Sequence, residues 1–206
     1  MNDFKKSALV LALFLVALAI FGQGCDGRAA GYEFKGVVLE PPPQLPDFEL
    51  MAITGQPFRL SEVEEDFTLL YFGYTRCPDV CPLTLWEVKE ALAELETGRE
   101  RVHVIFISVD PERDPPEVLT NYMAAFGPEF IGISEDMTKI EPVMASLGVV
   151  AEKEIVDDSQ IGYQVSHTAN LYLIGPQRQL LAQYPFGFAA EDLGSDLAHL
   201  LQQETF

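Results

Sequence analysis

The chain has few of the residues that most often announce a site. Among 206 residues there are three cysteines, three histidines and one tryptophan, and 13 Lys and Arg stand against 32 Asp and Glu. The shortage of positive charge excludes partners that need a basic face. At a net charge of −19 the chain lacks the long-range attraction that nucleic acid or an anionic lipid surface requires. Five scattered methionines form no thioether cluster, and no fixed-period repeat is present, which excludes solenoids and propellers. The longest apolar run, Ala8 to Phe21, is shorter than the ~20 residues that cross a hydrocarbon core. What remains is a chain that is 48% hydrophobic, enough for one domain with a core of ordinary size.

Lys5 and Lys6 precede the apolar run, and Gly22, Gly24 and Cys25 follow it, which is the layout of a secretory signal and predicts export. Three cysteines leave one over from any pairing, and in an exported chain that one needs an explanation. The run ending in Gly24-Cys25-Asp26 resembles the lipid-attachment site of bacterial lipoproteins, with Gly22 where those sites usually carry Leu. The resemblance implies acylation of Cys25 and, through Asp26, retention at the inner membrane. In the other reading, the run is an uncleaved anchor and Cys25 a free thiol. Either ties the N-terminus to a membrane. Asp26 to Pro46, ending in EPPPQLP, reads as an extended spacer, which leaves residues 47–206 as the folded domain. Residues 1–25 carry +1, so the part beyond Cys25 carries −20, which reads as an acidic solubilising surface or, functionally, as attraction for a cationic partner or a metal ion.

Along the domain, strand and helix patterns alternate. Phe48 to Met51 and Pro57 to Leu60 flank Thr54-Gly55 and predict an opening hairpin. Phe67 to Gly73 is an apolar strand, after which Leu85, Val88, Leu92 and Leu95 fall at helical spacing; Val102 to Val109 is the next strand. In DPPEVLTNYMAAFG, Asp114 is the expected N-cap, with Pro115 at the first helical position, Glu117 completing a capping box and Gly127 as the stop. A strand at Phe130 to Ile133, a helix at Met137 to Leu147, a hairpin of Ala169 to Ile174 with Gln179 to Tyr184, and a helix at Glu191 to Gln202 complete the chain. The pattern predicts an α/β sandwich with a mixed sheet.

Two of the three cysteines share one short loop, Cys77-Pro-Asp-Val-Cys81, between the first long strand and its helix. Pro78 and Pro82 disfavour helical backbone at the residues before them, so the helix is expected to begin at Pro82. Both thiols then lie at a helix N-terminus, where unpaired N–H groups and the macrodipole favour thiolate, the form that binds metal and attacks disulfides. A structural disulfide is the plainer alternative outside the cytosol. His103 at a strand start and His199 in a last helical turn read as structural, whereas His167 follows a polar stretch and immediately precedes a predicted strand.

Three segments in order, FGYTRCPDVCP, FISVDPERDPPEVL and SHTANLYLIGPQ, together resemble the Sco/SenC family, membrane-tethered copper proteins of respiratory-oxidase assembly with a thioredoxin-like domain. The similarity covers roughly Pro46 to the C-terminus. It implies a thioredoxin-like sandwich, with its mixed central sheet flanked by helices and preceded by the N-terminal hairpin. It also implies one copper ion per domain, as Cu(I) or Cu(II), on Cys77, Cys81 and His167. The implied partner is the copper-site subunit of cytochrome c oxidase, with another extracytoplasmic copper carrier or a thiol reductase as a second, and the location is the periplasmic face of a bacterial inner membrane. Ser166 stands where the family often has Asp, and Asn170 where an aromatic or apolar residue is common.

Donor chemistry is compatible with that implication: two soft thiolates select Cu(I), and an added imidazole also suits Cu(II). Zinc on Cys2His with an open position is a further reading. From a different class comes a thiol-disulfide oxidoreductase or redox sensor working through Cys77 and Cys81 as a redox-active dithiol. Such enzymes generally use C-x-x-C facing a cis-proline, but the spacing here is C-x-x-x-C and no proline occurs between Pro142 and Pro176. Metal binding needs the dithiol and oxidation releases the ion, so the two activities are compatible.

Overall fold

The computed structural model describes residues 32–63, 66–156 and 162–203, and residues 34–203 fall in one compact unit. In chain order the strands are β1 (Val37–Val38), β2 (Glu49–Met51), β3 (Pro57–Arg59), β4 (Phe67–Gly73), β5 (Val102–Ser108), β6 (Phe130–Ile133), β7 (Ala151–Ile155), β8 (Tyr163–His167), β9 (Leu171–Gly175) and β10 (Gln179–Tyr184). The helices are α1 (Val80–Ala93), α2 (Pro116–Met123), α3 (Met137–Ser146) and α4 (Ala190–Gln203).

Every residue of β4 is buried, as are all of β5 except His103. That is why both read as continuous apolar runs rather than alternating ones: central strands of a parallel stretch are covered on both faces. They lie at the middle of a six-stranded mixed sheet in the order β1-β10-β9-β4-β5-β6. β4, β5 and β6 run parallel, and β9 returns antiparallel to β4 with Tyr71 opposite Leu171. The end of β4 and the start of β9 therefore meet at one edge of the core. The predicted opening hairpin is present as β2–β3.

Four expectations need correction. First, α1 begins at Val80, capped by the Asp79 carboxylate, rather than at Pro82. A proline in the first helical turn removes no intrahelical hydrogen bond, and the Cys81 N–H is taken by the Cys77 sulfur at 3.3 Å. Second, Asp114 is no cap: α2 starts at Pro116 without a side-chain cap, and Asp114 is wholly buried beneath the cysteine loop. Third, the polar stretch before His167 runs into a strand, β8, that pairs antiparallel with β7 ahead of it, so His167 ends a strand instead of directly preceding one. Fourth, the later part of the expected spacer packs on the domain. Val37–Val38 pair with β10, Leu45 is buried, and the Lys35 and Gly36 N–H groups donate to the buried Asp196 carboxylate at 3.0–3.1 Å.

Among the described residues no helix is long and apolar enough to cross a membrane. The run Ala8 to Phe21 and Cys25 lie outside the described residues.

Candidate metal centre

The loop leaving β4 carries Cys77, and Cys81 follows in the first turn of α1. His167 stands at the end of β8, three residues before Asn170 gives way to β9. Because β9 is antiparallel to β4, the histidine and the cysteines, far apart in sequence, arrive at the same end of the sheet. The two sulfurs and a histidine ring nitrogen all lie within 4.8 Å of one another.

Cys81 is fully buried in the core and Cys77 partly exposed, so one thiol stands behind the other. Glycine makes room for this. A Cβ placed on Gly73, the last residue of β4, would lie 3.0 Å from the Cys81 sulfur and 2.8 Å from the Phe106 ring. The close approach of helix to strand at the buried thiol thus depends on a missing side chain.

Hydrogen bonding separates the two thiols electrically. The Cys81 side chain bonds to Cys77 and, with backbone N–H groups of the loop, outweighs burial to hold the Cys77 thiol down at about 4. Cys81 is pushed far upward by that same bond, by burial and by the Cys77 charge beside it. In the metal-free reduced site one proton is therefore shared asymmetrically, with the charge on the accessible sulfur.

His167 is poised as a donor through its Nε2. Its Nδ1 lies 3.0 Å from the Thr168 carbonyl oxygen, a geometry that places the Nδ1 proton there, and Nε2 points at the Cys81 sulfur 3.5 Å away. The edges of Tyr71 and Tyr74 meet the ring at 6.2 and 6.0 Å between centroids. Burial holds the Tyr71 hydroxyl well above its ordinary range, so it stays protonated beside the sulfur.

Asp114 secures the cysteine loop from below. Its carboxylate accepts from the Thr75 N–H at 2.9 Å, the Thr75 hydroxyl at 2.5 Å and the Ser108 hydroxyl at 2.7 Å. The sequence singled out Asp114 for a different reason. Tyr71, Tyr74 and the glycine at 73 were not singled out at all, and only the position of Gly73, at a strand end beside a cysteine loop, carried any signal. His103 bonds Asp66 at 3.1 Å and His199 meets Gln203 at 2.7 Å, both outside the cluster of possible metal ligands found among the described residues.

Two sulfurs and an imidazole at the mouth of a mixed-sheet sandwich define a thioredoxin-like domain equipped with a candidate soft-metal site. Residues 39–202 match the SCO1/SenC family model, and the chain belongs to that family. Among its relatives is a Stutzerimonas stutzeri protein named for copper binding, 31% identical over 207 residues, which span 99% of this chain and 98% of that one. The copper-bound structure of ScoI from Bradyrhizobium japonicum is 34% identical with a TM-score of 0.68, covering 76% of this chain and 99% of that one. Apo Sco1 from Thermus thermophilus is 39% identical with a TM-score of 0.72, covering 84% and 98%.

Proposed function

We propose that this protein is a membrane-tethered, extracytoplasmic copper carrier that holds one copper ion on Cys77, Cys81 and His167. We assign its target as the binuclear copper site of cytochrome c oxidase, to which it delivers copper or whose cysteines it reduces. The observation that carries this reading is the convergence of both sulfurs and the histidine nitrogen within 4.8 Å, with the His167 proton directed away to Thr168. Two thiolates suit Cu(I), and the imidazole extends the set to Cu(II). Copper bound by a similar chain and the description of the Sco family as cytochrome c oxidase assembly proteins support this cargo and target.

Titration of the reduced full chain with Cu(I) and Cu(II) tests it. Wild type is expected to bind one equivalent of either. Cys77→Ser and Cys81→Ser each abolish tight binding, because one thiolate cannot chelate, while His167→Ala weakens Cu(II) far more than Cu(I). Wild-type affinity in either serine variant refutes the site.

One observation favours thiol reduction as a companion activity. The accessible Cys77 is the thiolate and the buried Cys81 keeps its proton, the asymmetry of an attacking and a resolving thiol. Cys77 attacks a target disulfide, Cys81 then displaces the target's second sulfur, and two electrons pass to the target as Cys77 and Cys81 become a disulfide. A thiol reductase partner restores the dithiol. Stoichiometric reduction of an oxidised target-site peptide by the metal-free chain, lost in Cys77→Ser, is the expected result.

A further inference from the structure

His167 sits on a hairpin that the core barely holds. Within β7 and β8 only Val165 is buried, so apolar packing alone does little to fix where the ring goes. The fixing comes from the other side of the site, from the turn Asp110–Asp114.

Asp110 is wholly buried at the end of β5, and its carboxylate pairs with the Arg113 guanidinium. Arg113 then reaches across to β8. Its guanidinium carbon lies over the Tyr163 ring, 3.5 Å from the centroid, and its Nη1 donates to the Tyr163 carbonyl at 2.8 Å. The Tyr163 hydroxyl donates to the second oxygen of Asp110 at 2.7 Å, which closes the circuit. Outside, Lys153 covers the same ring at 5.0 Å and pairs with Glu112 of the same turn. Arg113 also lies 5.9 Å from the Tyr74 ring, whose edge meets His167.

Tyr163 and His167 are the first and last residues of one five-residue strand. Fixing Tyr163 by ring, hydroxyl and carbonyl at once sets the position and twist of that strand, and through it the direction of the imidazole. A planar guanidinium makes the stack and the forked hydrogen bonds together, which a lysine ammonium cannot.

We propose that Arg113, clamped between Asp110 and Tyr163, is a positioning residue that latches the β7–β8 hairpin so that His167 meets the two cysteines. With Asp114 holding the cysteine loop, one short turn then governs both halves of the site through different side chains. This deepens the copper reading and rests on it for the ligand role of His167.

The test uses the reduced full chain, with Arg113→Gln, Arg113→Lys and Tyr163→Ala compared with wild type and His167→Ala. The lysine and tyrosine variants keep a counter-charge on Asp110 and remain informative if Arg113→Gln does not fold. All latch variants are expected to lose at least tenfold in Cu(II) affinity while Cu(I) affinity changes by less than threefold. Added to His167→Ala, they cause no further loss. In the metal-free protein, β8 amides exchange with solvent at least tenfold faster while β4 amides are unchanged. Wild-type Cu(II) affinity in Arg113→Lys and Tyr163→Ala, equal losses in both oxidation states, or a loss that persists without His167 would overturn the latch. If His167→Ala itself leaves Cu(II) binding intact, the copper reading has failed instead, and hydrogen exchange alone decides whether the latch exists.

Discussion

The asymmetry between the two thiols makes a kinetic prediction that a simple rate comparison would miss. With its pKa held down at about 4, Cys77 is a thiolate throughout the neutral range. At pH 6 an ordinary thiol near 8.5 is about 0.3% ionised, so Cys77 gains roughly 300-fold in reactive form. Thiolate nucleophilicity falls with pKa at a Brønsted slope of about 0.4–0.5, which over that drop removes roughly 100-fold. The two nearly cancel, leaving roughly a threefold advantage at pH 6 and a disadvantage at pH 8. The diagnostic is therefore the shape of the profile. Alkylation of Cys77 by iodoacetamide, read by peptide mass mapping so that Cys25 is scored separately, is expected to be flat from about pH 5.5 to 8, where an ordinary thiol rises about tenfold per unit. Cys81, buried and held protonated, stays unlabelled in the folded chain. Because the Cys81 side chain is the largest cause of the depression, Cys81→Ala restores the rising slope. A thiol with a depressed folded pKa stabilises the fold above the unfolded pKa, and that contribution is lost as pH falls toward 4. The stability difference between wild type and Cys77→Ala thus grows from pH 5 to 8. A tenfold-per-unit rise in wild-type Cys77 labelling between pH 6 and 8, or equal labelling of both cysteines, refutes the reasoning.

Gly73→Ala forces a Cβ against the Phe106 ring and the Cys81 sulfur. Overpacking of this kind costs about 1–3 kcal/mol, expected as a fall in thermal midpoint of about 3–10 °C together with weaker Cu(I) binding. Asp114→Ala strands three donors in a buried site and is expected to cost about 2–4 kcal/mol, measured by urea unfolding; a change within 0.5 kcal/mol counts against its role under the cysteine loop. For Cys25, the mass of the membrane-extracted protein decides: a mature chain starting at Cys25 with added acyl mass supports lipidation, and an intact chain from Met1 without it makes the apolar run an anchor.

Legibility in the sequence followed burial. β4 and β5 were readable because their apolar runs are unbroken, and α1 because Leu85, Val88 and Leu92 share a buried face. Cys77 and Cys81 stood out through rarity and proximity. The β7–β8 hairpin did not, since AEKEI and YQVSH expose nearly every side chain and leave no apolar period to detect. His167 could be placed at an element boundary from its neighbours, but only the likeness of SHTANLYLIGPQ to a family segment attached it to the cysteines. The latch role of Arg113 was invisible, because Tyr163, its partner across the site, lies 50 residues further along the chain. Pairings at that separation have no local signature. The first strand was hidden for a related reason: a two-residue ladder in a proline-rich segment has too little sequence to carry a pattern.

The same distribution of burial explains why the site divides into two unequal halves. The thiols are built on the stiffest part of the molecule, the junction of fully buried β4 with α1, where opening would expose the core. The imidazole is built on an exposed hairpin joined to that core by β9 and by polar contacts to one turn. Opening the hairpin exposes little apolar surface, so it costs less than opening the thiol junction. A change at Arg113 or Tyr163 therefore acts on the histidine while leaving the cysteine pair in place, whereas a change at Gly73 or Asp114 acts on the cysteines first. The fold thus assigns different controls to the two kinds of donor atom, and substitutions within a single five-residue turn, Asp110 to Asp114, can address either one.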